Sequence, residues 1–429
     1  MPAREDPQRN LFDYSYYIII ASFVILFFNA GARFSIGVVF KPMIAEFAWS
    51  RSAISLAVFI NMAVFALSLT VVGRFYDRYG PKWVILISTF FASAGCIFLS
   101  GISSLGGFLI VYGIILAIGL GGTSATLVAA LASKWFQRGR GLAISLALSG
   151  NCLGQFILIP LFDSLIVDFN WRLLFFGLGV IMLGVNTLLS LFVLKSDPIV
   201  PEGSIERVKI SSPHPSSQDL NLTQAMKTPS FWLFLTTMFV CGSGDFLIST
   251  HLIPFVTDHQ IPSSTASHMF GWFGLLSFAG ILVAGPISDR VGNKIPIALT
   301  FVLRVLLFFL ILQSQSIESL YIFALLFGFT FLVTAPLTTT LVARLYGLNH
   351  VGIISGFITT VHHLAGGFWA YLGGWIFDRT GSYRLAFFIS LILAVVAVFS
   401  TLLIKEERCH LPGWRKESEA SKRDPDSNQ

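Results

Sequence analysis

Gly73-Arg74-Phe75-Tyr76-Asp77-Arg78-Tyr79-Gly80-Pro81-Lys82 reads as a short charged loop between two long apolar stretches. Its spacing, G-x-x-x-D-R-x-G-x-K, returns as Gly285-Pro286-Ile287-Ser288-Asp289-Arg290-Val291-Gly292-Asn293-Lys294, and 285 − 73 = 212 is close to half of the 429 residues. Other pairs keep this offset. Trp171-Arg172-Leu173 answers Tyr383-Arg384-Leu385, Pro42 answers Pro254, and Gly141 answers Gly352 one residue short of it. A charged motif repeated at half-length in an apolar chain implies two parallel repeats that enter a membrane from the same side.

Composition agrees. Hydrophobic residues make up 55% of the chain and charged residues 12%, with a mean hydropathy of +0.77. A soluble domain carries about 25% charged residues, so the lipid bilayer is the expected environment. The net charge of +6 is spread over short loops and is not a nucleic-acid signal. Cys96, Cys152 and Cys241 lie in apolar runs and Cys409 in the tail, with no C-x-x-C pair, so neither metal nor disulfide framework is expected. The first apolar run is too long for a signal-peptide core and reads as a retained span. There is no Walker loop and no Ser/His/Asp constellation, which argues against ATP-driven transport and against an enzyme; no cofactor is expected.

Twelve runs are long enough to cross as helices, at about 14–40, 52–72, 83–101, 107–132, 141–162, 172–194, 229–256, 268–287, 295–313, 318–342, 350–374 and 384–404. The fold class is therefore an all-α membrane protein. The polar segment 195–228, with Pro198, Pro201, Pro213 and Pro215, divides residues 14–194 from residues 229–404 as two six-helix bundles. Residues 1–13 and 405–429 form the tails. The odd-to-even turns hold five basic residues (Lys41, Arg51, Arg172, Arg379 and Arg384) against 21 in the termini and remaining loops. The positive-inside bias then places both termini and the linker in the cytoplasm; the plasma (inner) membrane is the expected location. The sequon Asn221-Leu222-Thr223 falls on that linker, where no glycan is expected.

Twelve spans, a central linker and two such motifs resemble the major facilitator superfamily over nearly the whole chain. The resemblance implies two six-helix bundles around a cavity that opens alternately to each side. The stretch Phe34-Ser35-Ile36-Gly37-Val38-Val39-Phe40-Lys41-Pro42, with Glu46-Phe47-Ala48-Trp49-Ser50-Arg51-Ser52 after it, resembles the start of the monocarboxylate porter and oxalate/formate antiporter branch, and the runs from Trp135 to Ala143 and from Gly373 to Tyr383 resemble its bacterial members. That branch places charged or basic residues in span 8, whereas Phe278 to Pro286 carries none here. The group that holds a carboxylate must then lie elsewhere, or the substrate differs.

An ionisable residue near the middle of a span costs about 2.5 kcal/mol or more. Arg33 and Asp245 occupy equivalent places, since 245 − 33 = 212. In the family fold, spans 1 and 7 both line the cavity. Arg33 is expected to hold the anionic group of a substrate, with Asp245 as a proton-sensitive partner that pairs with Arg33 when ionised. His362 and His363 in span 11 are candidate proton relays, one of them facing the cavity. Asn61, Tyr112, Asn151 and Trp369 are further candidate substrate contacts. Arg304, on a peripheral span, is expected to turn to an acid or helix end in its own bundle, and His251 to lie near the interface. Gly73, Asp77, Arg78, Gly80, Asp289, Arg290 and Gly292 read as conformational latches on the cytoplasmic side. The expected function is secondary transport of a small organic anion, monocarboxylate-like, with protons or by exchange, in a monomer. Efflux of amphipathic compounds and solute sensing without turnover are the alternatives.

Overall fold

The computed structural model describes residues 7–136, 140–195, 219–347 and 349–405, with side chains from Tyr14 onward. Residues 1–6 of the expected cytoplasmic N-terminus, most of the linker, the tail from residue 406 with Cys409, and the side chain of Asp289 lie outside the described residues. Within them, twelve helices are long and apolar enough to cross a membrane. Spans 1 to 6 are Tyr14–Phe47, Arg51–Tyr79, Pro81–Leu99, Leu105–Trp135, Leu142–Asp168 and Trp171–Val193. Spans 7 to 12 are Pro229–Asp258, Ser263–Ser288, Lys294–Gln313, Ile317–Tyr346, Val351–Thr380 and Arg384–Leu403.

The helices outlast the apolar runs that announce them, and this corrects the reading of the motif as a loop. Span 2 stays helical to Tyr79 and stops at Gly80, whose φ of 81° is one that side-chain-bearing residues rarely adopt. The Gly80 N–H donates to the Tyr76 carbonyl, and Pro81 opens span 3. Gly292, with φ 83°, ends the span 8 helix through the Ser288 carbonyl. A helix of 29 residues is about 43 Å long, against roughly 30 Å of hydrocarbon. The charged turns of the motif therefore stand beyond the membrane while remaining helix.

Spans 1 to 6 pack as one bundle and spans 7 to 12 as another, and the bundles meet mainly where span 2 crosses span 11 and span 5 crosses span 8. Glycines show how far each crossing is closed. A Cβ at Gly367 of span 11 would lie 2.9 Å from Met62 Cβ, and one at Gly374 would lie 2.8 Å from the Arg51 carbonyl oxygen. Gly356 sits on the same face, 367 − 356 = 11 residues earlier, and a Cβ there meets nothing within 4 Å. Gly73 stands 73 − 62 = 11 residues past Met62 and is equally open. Span 8 repeats the pattern. Gly274 is pressed against Gln155 at 2.8 Å, while Gly285, 285 − 274 = 11 residues on, is open. Eleven residues are about three turns, so each open glycine continues a helix face that is closed three turns away. The bundles are thus clamped together at the end that carries the odd-to-even turns (the turn end). They part toward the end that carries Gly80 and Gly292 (the cap end).

Candidate functional site

Part-way along span 1, Arg33 projects between the bundles. Its guanidinium lies 4.8 Å from the ring centre of Phe65 in span 2 and 5.6 Å from that of Phe246 in span 7. Its Nη2 is 3.9 Å from the Met62 sulfur. It meets aromatic faces but pairs with no carboxylate among the described residues.

The expected Arg33–Asp245 pair is not what this conformation forms. Asp245 turns into its own bundle, where its Oδ1 lies 2.7 Å from Nη2 of Arg304, both groups being almost fully buried. Arg304 also donates to the Thr330 hydroxyl at 3.2 Å and the Thr330 carbonyl at 3.2 Å, and lies over Phe327. The reason is angular. A helix turns about 100° per residue, so with Phe246 aimed at Arg33, its neighbour Asp245 faces the bundle interior. Equivalent sequence positions here present different faces.

Around Asp245, the Cys241 thiol donates to Oδ2 at 3.3 Å, and His362 Nε2 lies 3.8 Å away. Cys241, Asp245 and His362 offer metal-type ligand atoms within 4.8 Å of one another. The Arg304 guanidinium already occupies the cation's place beside that carboxylate, so the cluster is a buried ion pair with polar neighbours. The adjacent histidines part company. His362 Nδ1 faces the Met238 carbonyl of span 7 at 3.3 Å, whereas the His363 ring packs on Phe65 across the interface, 5.1 Å between centres. Their rings are 5.2 Å apart. A broken line of ionisable groups thus runs from Arg33 past His363 and His362 to Asp245 and Arg304.

The other candidates are placed differently. The Asn61 amide donates to the Tyr112 carbonyl at 2.6 Å, within the π-helical stretch Val111–Leu116 of span 4, and the Tyr112 ring stacks on Phe108. Both side chains are buried inside the first bundle. Trp369 turns to span 12 and donates to Ser390. Asn151 is half-buried on span 5. Asp77, Arg78 and Arg290 are exposed at the cap end, and Asp77 pairs with no described residue.

A second cluster, absent from the sequence-based candidates, clasps the bundles at the turn end. Arg51 opens span 2 and reaches Asp258, at the close of span 7, through two hydrogen bonds of 2.8 Å. Lys41 of span 1 lies 2.8 Å from the same carboxylate. Arg51 also stacks on Phe377 at 3.6 Å and donates to the Tyr383 hydroxyl at 2.9 Å. Asp378 of span 11 accepts from the backbone N–H groups of Arg51 and Ser52 at 3.1 and 2.8 Å. A carboxylate of one bundle thus caps the helix N-terminus of the other, where orphan donors and the helix dipole favour it. His251 is buried between the Tyr383 hydroxyl and the Ala370 carbonyl. Burial raises the Tyr383 phenol above its ordinary value, which keeps its proton on. Glu46, which matches Asp258 at 258 − 46 = 212, serves only its own bundle: Trp171 donates to it at 2.6 Å and Arg172 at 2.7 Å. Arg51 entered the sequence reading as a basic residue of a turn and within the Trp49-Ser50-Arg51-Ser52 likeness, with no partner assigned to it. The acids of these turns, Asp258 and Asp378, were the available signal.

The family model described as Major Facilitator Superfamily matches residues 22–262 and 236–425, nearly the whole chain. The chain belongs to the major facilitator superfamily. It is a transporter of that superfamily and a multi-pass integral membrane protein. It is 27% identical to the uncharacterized MFS-type transporter YcxA of Bacillus subtilis, over 90% of this chain and 92% of that one. It is 24% identical to monocarboxylate transporter 13 of Bos taurus, over 91% and 89% respectively. Among solved superfamily structures, it resembles a bacterial homolog of the human lysosomal transporter Spinster in an inward-facing and occupied conformation. The TM-score is 0.73 at 15% identity, covering 93% of this chain and 99% of that one. The nucleoside transporter NupG, solved in a mutant form, gives 0.72 at 13% identity, covering 91% and 99%. At these identities the two structures speak for the fold alone.

Proposed function

We propose that this superfamily transporter moves a small organic anion, of monocarboxylate type, by alternating access, and that the present conformation is the one open to the cytoplasm. The observation that carries the reading is Arg33: a guanidinium between the bundles, walled by aromatic rings, with no carboxylate partner among the described residues. A planar, permanently charged donor without a partner is suited to a carboxylate arriving from outside. Relatives named monocarboxylate transporter 12 and 13 support the substrate class.

The basic residues assign the cap end, with both termini, to the cytoplasm, and the plasma membrane is the site of action. On this reading the clasp of Arg51, Asp258 and Asp378 closes the outer side. The open faces at Gly73, Gly285 and Gly356 are the path to the cytoplasm. Asp77, Arg78, Asp289 and Arg290 form latches when the cap end closes. Asp245, His362 and His363 are the proton-coupling groups. Protonating Asp245 weakens its hold on Arg304 and lets span 7 shift against span 9, beside the Phe246 wall of the substrate site.

Counterflow of labelled monocarboxylates in proteoliposomes, with and without a pH gradient, tests the proposal. Saturable exchange that Arg33→Ala abolishes is the expected result. Exchange indifferent to the gradient would remove proton symport. The rings of Phe65 and Phe246 also favour a second reading, efflux of amphipathic compounds. Absence of flux for every acid, with drug-like compounds moving instead, would favour it.

A further inference from the structure

We infer that His251 is the proton-sensitive element of the turn-end clasp: the clasp is complete only while His251 is neutral, and a proton on Nδ1 opens the turn end. This role rests on the alternating-access reading, but its test reads only a distance between the bundles.

The hydrogens around the ring have fixed places. His251 Nε2 stands 2.8 Å from the Ala370 carbonyl, which can only accept, so Nε2 carries the ring's proton. Nδ1 is then bare and accepts from the Tyr383 hydroxyl at 2.9 Å. That hydroxyl in turn accepts from Arg51 Nη1 at 2.9 Å. Every proton in the chain Arg51–Tyr383–His251–Ala370 has one place. A proton added at Nδ1 would turn an acceptor into a second donor aimed at the hydroxyl. The hydroxyl hydrogen would lose its acceptor, since its other neighbour, Arg51, only donates.

Charge points the same way. The groups around the ring are Lys41 of span 1, Arg51 of span 2, Asp258 of span 7 and Asp378 of span 11, two cations against two carboxylates, with neutral Tyr383 from the following turn. An imidazolium would leave an uncompensated positive charge in a buried cluster. Neither carboxylate is free to take it. Asp258 is held by Arg51 and Lys41, and Asp378 by two backbone N–H groups. The ring has little room to turn away. Phe40 of span 1 packs at 5.5 Å, the Ser55 hydroxyl of span 2 lies 3.4 Å from Nε2, and a Cβ at Gly373 would touch the ring at 3.3 Å. Histidine is the side chain whose ordinary titration falls between pH 5 and 8. The outer side would therefore respond to the pH of the medium it faces.

The experiment places spin labels on Ser103→Cys, in the turn between spans 3 and 4, and Glu318→Cys, at the start of span 10, with Cys409→Ser. Both label sites are exposed. Inter-label distances are measured by pulsed electron spin resonance in nanodiscs from pH 8 to pH 5. With native His251, the short-distance population should give way to a longer one on acidification. The open-to-closed ratio should rise on acidification by at most about tenfold for each unit by which opening raises proton affinity, a limit reached only below the closed-state value. His251→Asn and His251→Gln, which keep a neutral donor and acceptor, should hold the short distance at both pH values. Acid opening that persists in both variants would overturn the inference and move the proton to a carboxylate. Absence of acid opening with native His251 would overturn it with no variant needed. An inert counterflow assay beside an intact distance response would instead count against the substrate reading alone.

Discussion

Gly73→Leu combined with Gly285→Leu is expected to trap the transporter in the conformation described above. A Cβ at either glycine meets nothing within 4 Å, so the substitutions leave this state unstrained. Both glycines continue helix faces that are pressed tight at the turn end. When the cap end closes, the same faces must approach, and each leucine must be accommodated against span 11 or span 5. Forcing extra volume into a packed contact costs about 1–3 kcal/mol, or about 5- to 150-fold in the equilibrium at each crossing. The crossings are separate, so the penalties should roughly add, giving about 30-fold at the low end. The gain in helix propensity from Gly to Leu is common to both states and cancels. Gly367→Ala supplies the opposite sign, because its Cβ would lie 2.9 Å from Met62 Cβ and 3.0 Å from Phe59 Cα in the present state. Inter-bundle distances measured at the cap end report the populations. A double leucine variant that closes its cap end as readily as the native chain would refute the trap. So would a Gly367→Ala variant that shifts the population in the same direction as the leucines.

Other substitutions test the charges. Asp245→Asn leaves Arg304 buried without its carboxylate and should cost about 3–5 kcal/mol of stability. Asp245→Leu with Arg304→Leu should recover most of it, so a thermal-unfolding double-mutant cycle that shows no coupling would deny the pair any structural role. Arg33→Lys keeps a charge but loses the planar fork, and should weaken exchange by about tenfold or more. Unchanged affinity in counterflow would remove Arg33 from the substrate site. Asp258→Asn breaks the charged contacts to both Arg51 and Lys41, and should open the turn end at every pH. A turn-end distance equal to that of the native chain would show that the clasp follows closure and does not hold it.

The twelve spans and the doubling were legible because both are periodic: apolar runs of fixed minimum length, and matches at one offset from Gly73 to Gly285 and from Pro42 to Pro254. Helix ends were less so. Hydropathy falls where the membrane stops, whereas the helix through Arg74 to Tyr79 stops where Gly80 turns it. Arg33 and Asp245 could be singled out as costly charges at matched positions, but not their directions. An offset of 212 carries no angle, and one residue of rotation separates the face that holds Phe246 from the one that holds Asp245. The clasp was the least visible part. Arg51, Asp258, Asp378 and Tyr383 are far apart in sequence and lie at helix ends, where charged residues are cheap and raise no alarm.

Glu46 and Asp258, at matched positions of the two repeats, hold different partners. The first ties the end of span 1 to the start of span 6, so the first bundle keeps a braced corner whatever its neighbour does. The second has given its grip to the opposite bundle, and that grip can be released without loosening the corner. On the proposed mechanism, movement would be concentrated in the seam. On the alternating-access reading each half would travel as a rigid body, and the hinge line would run where two matched positions hold different partners.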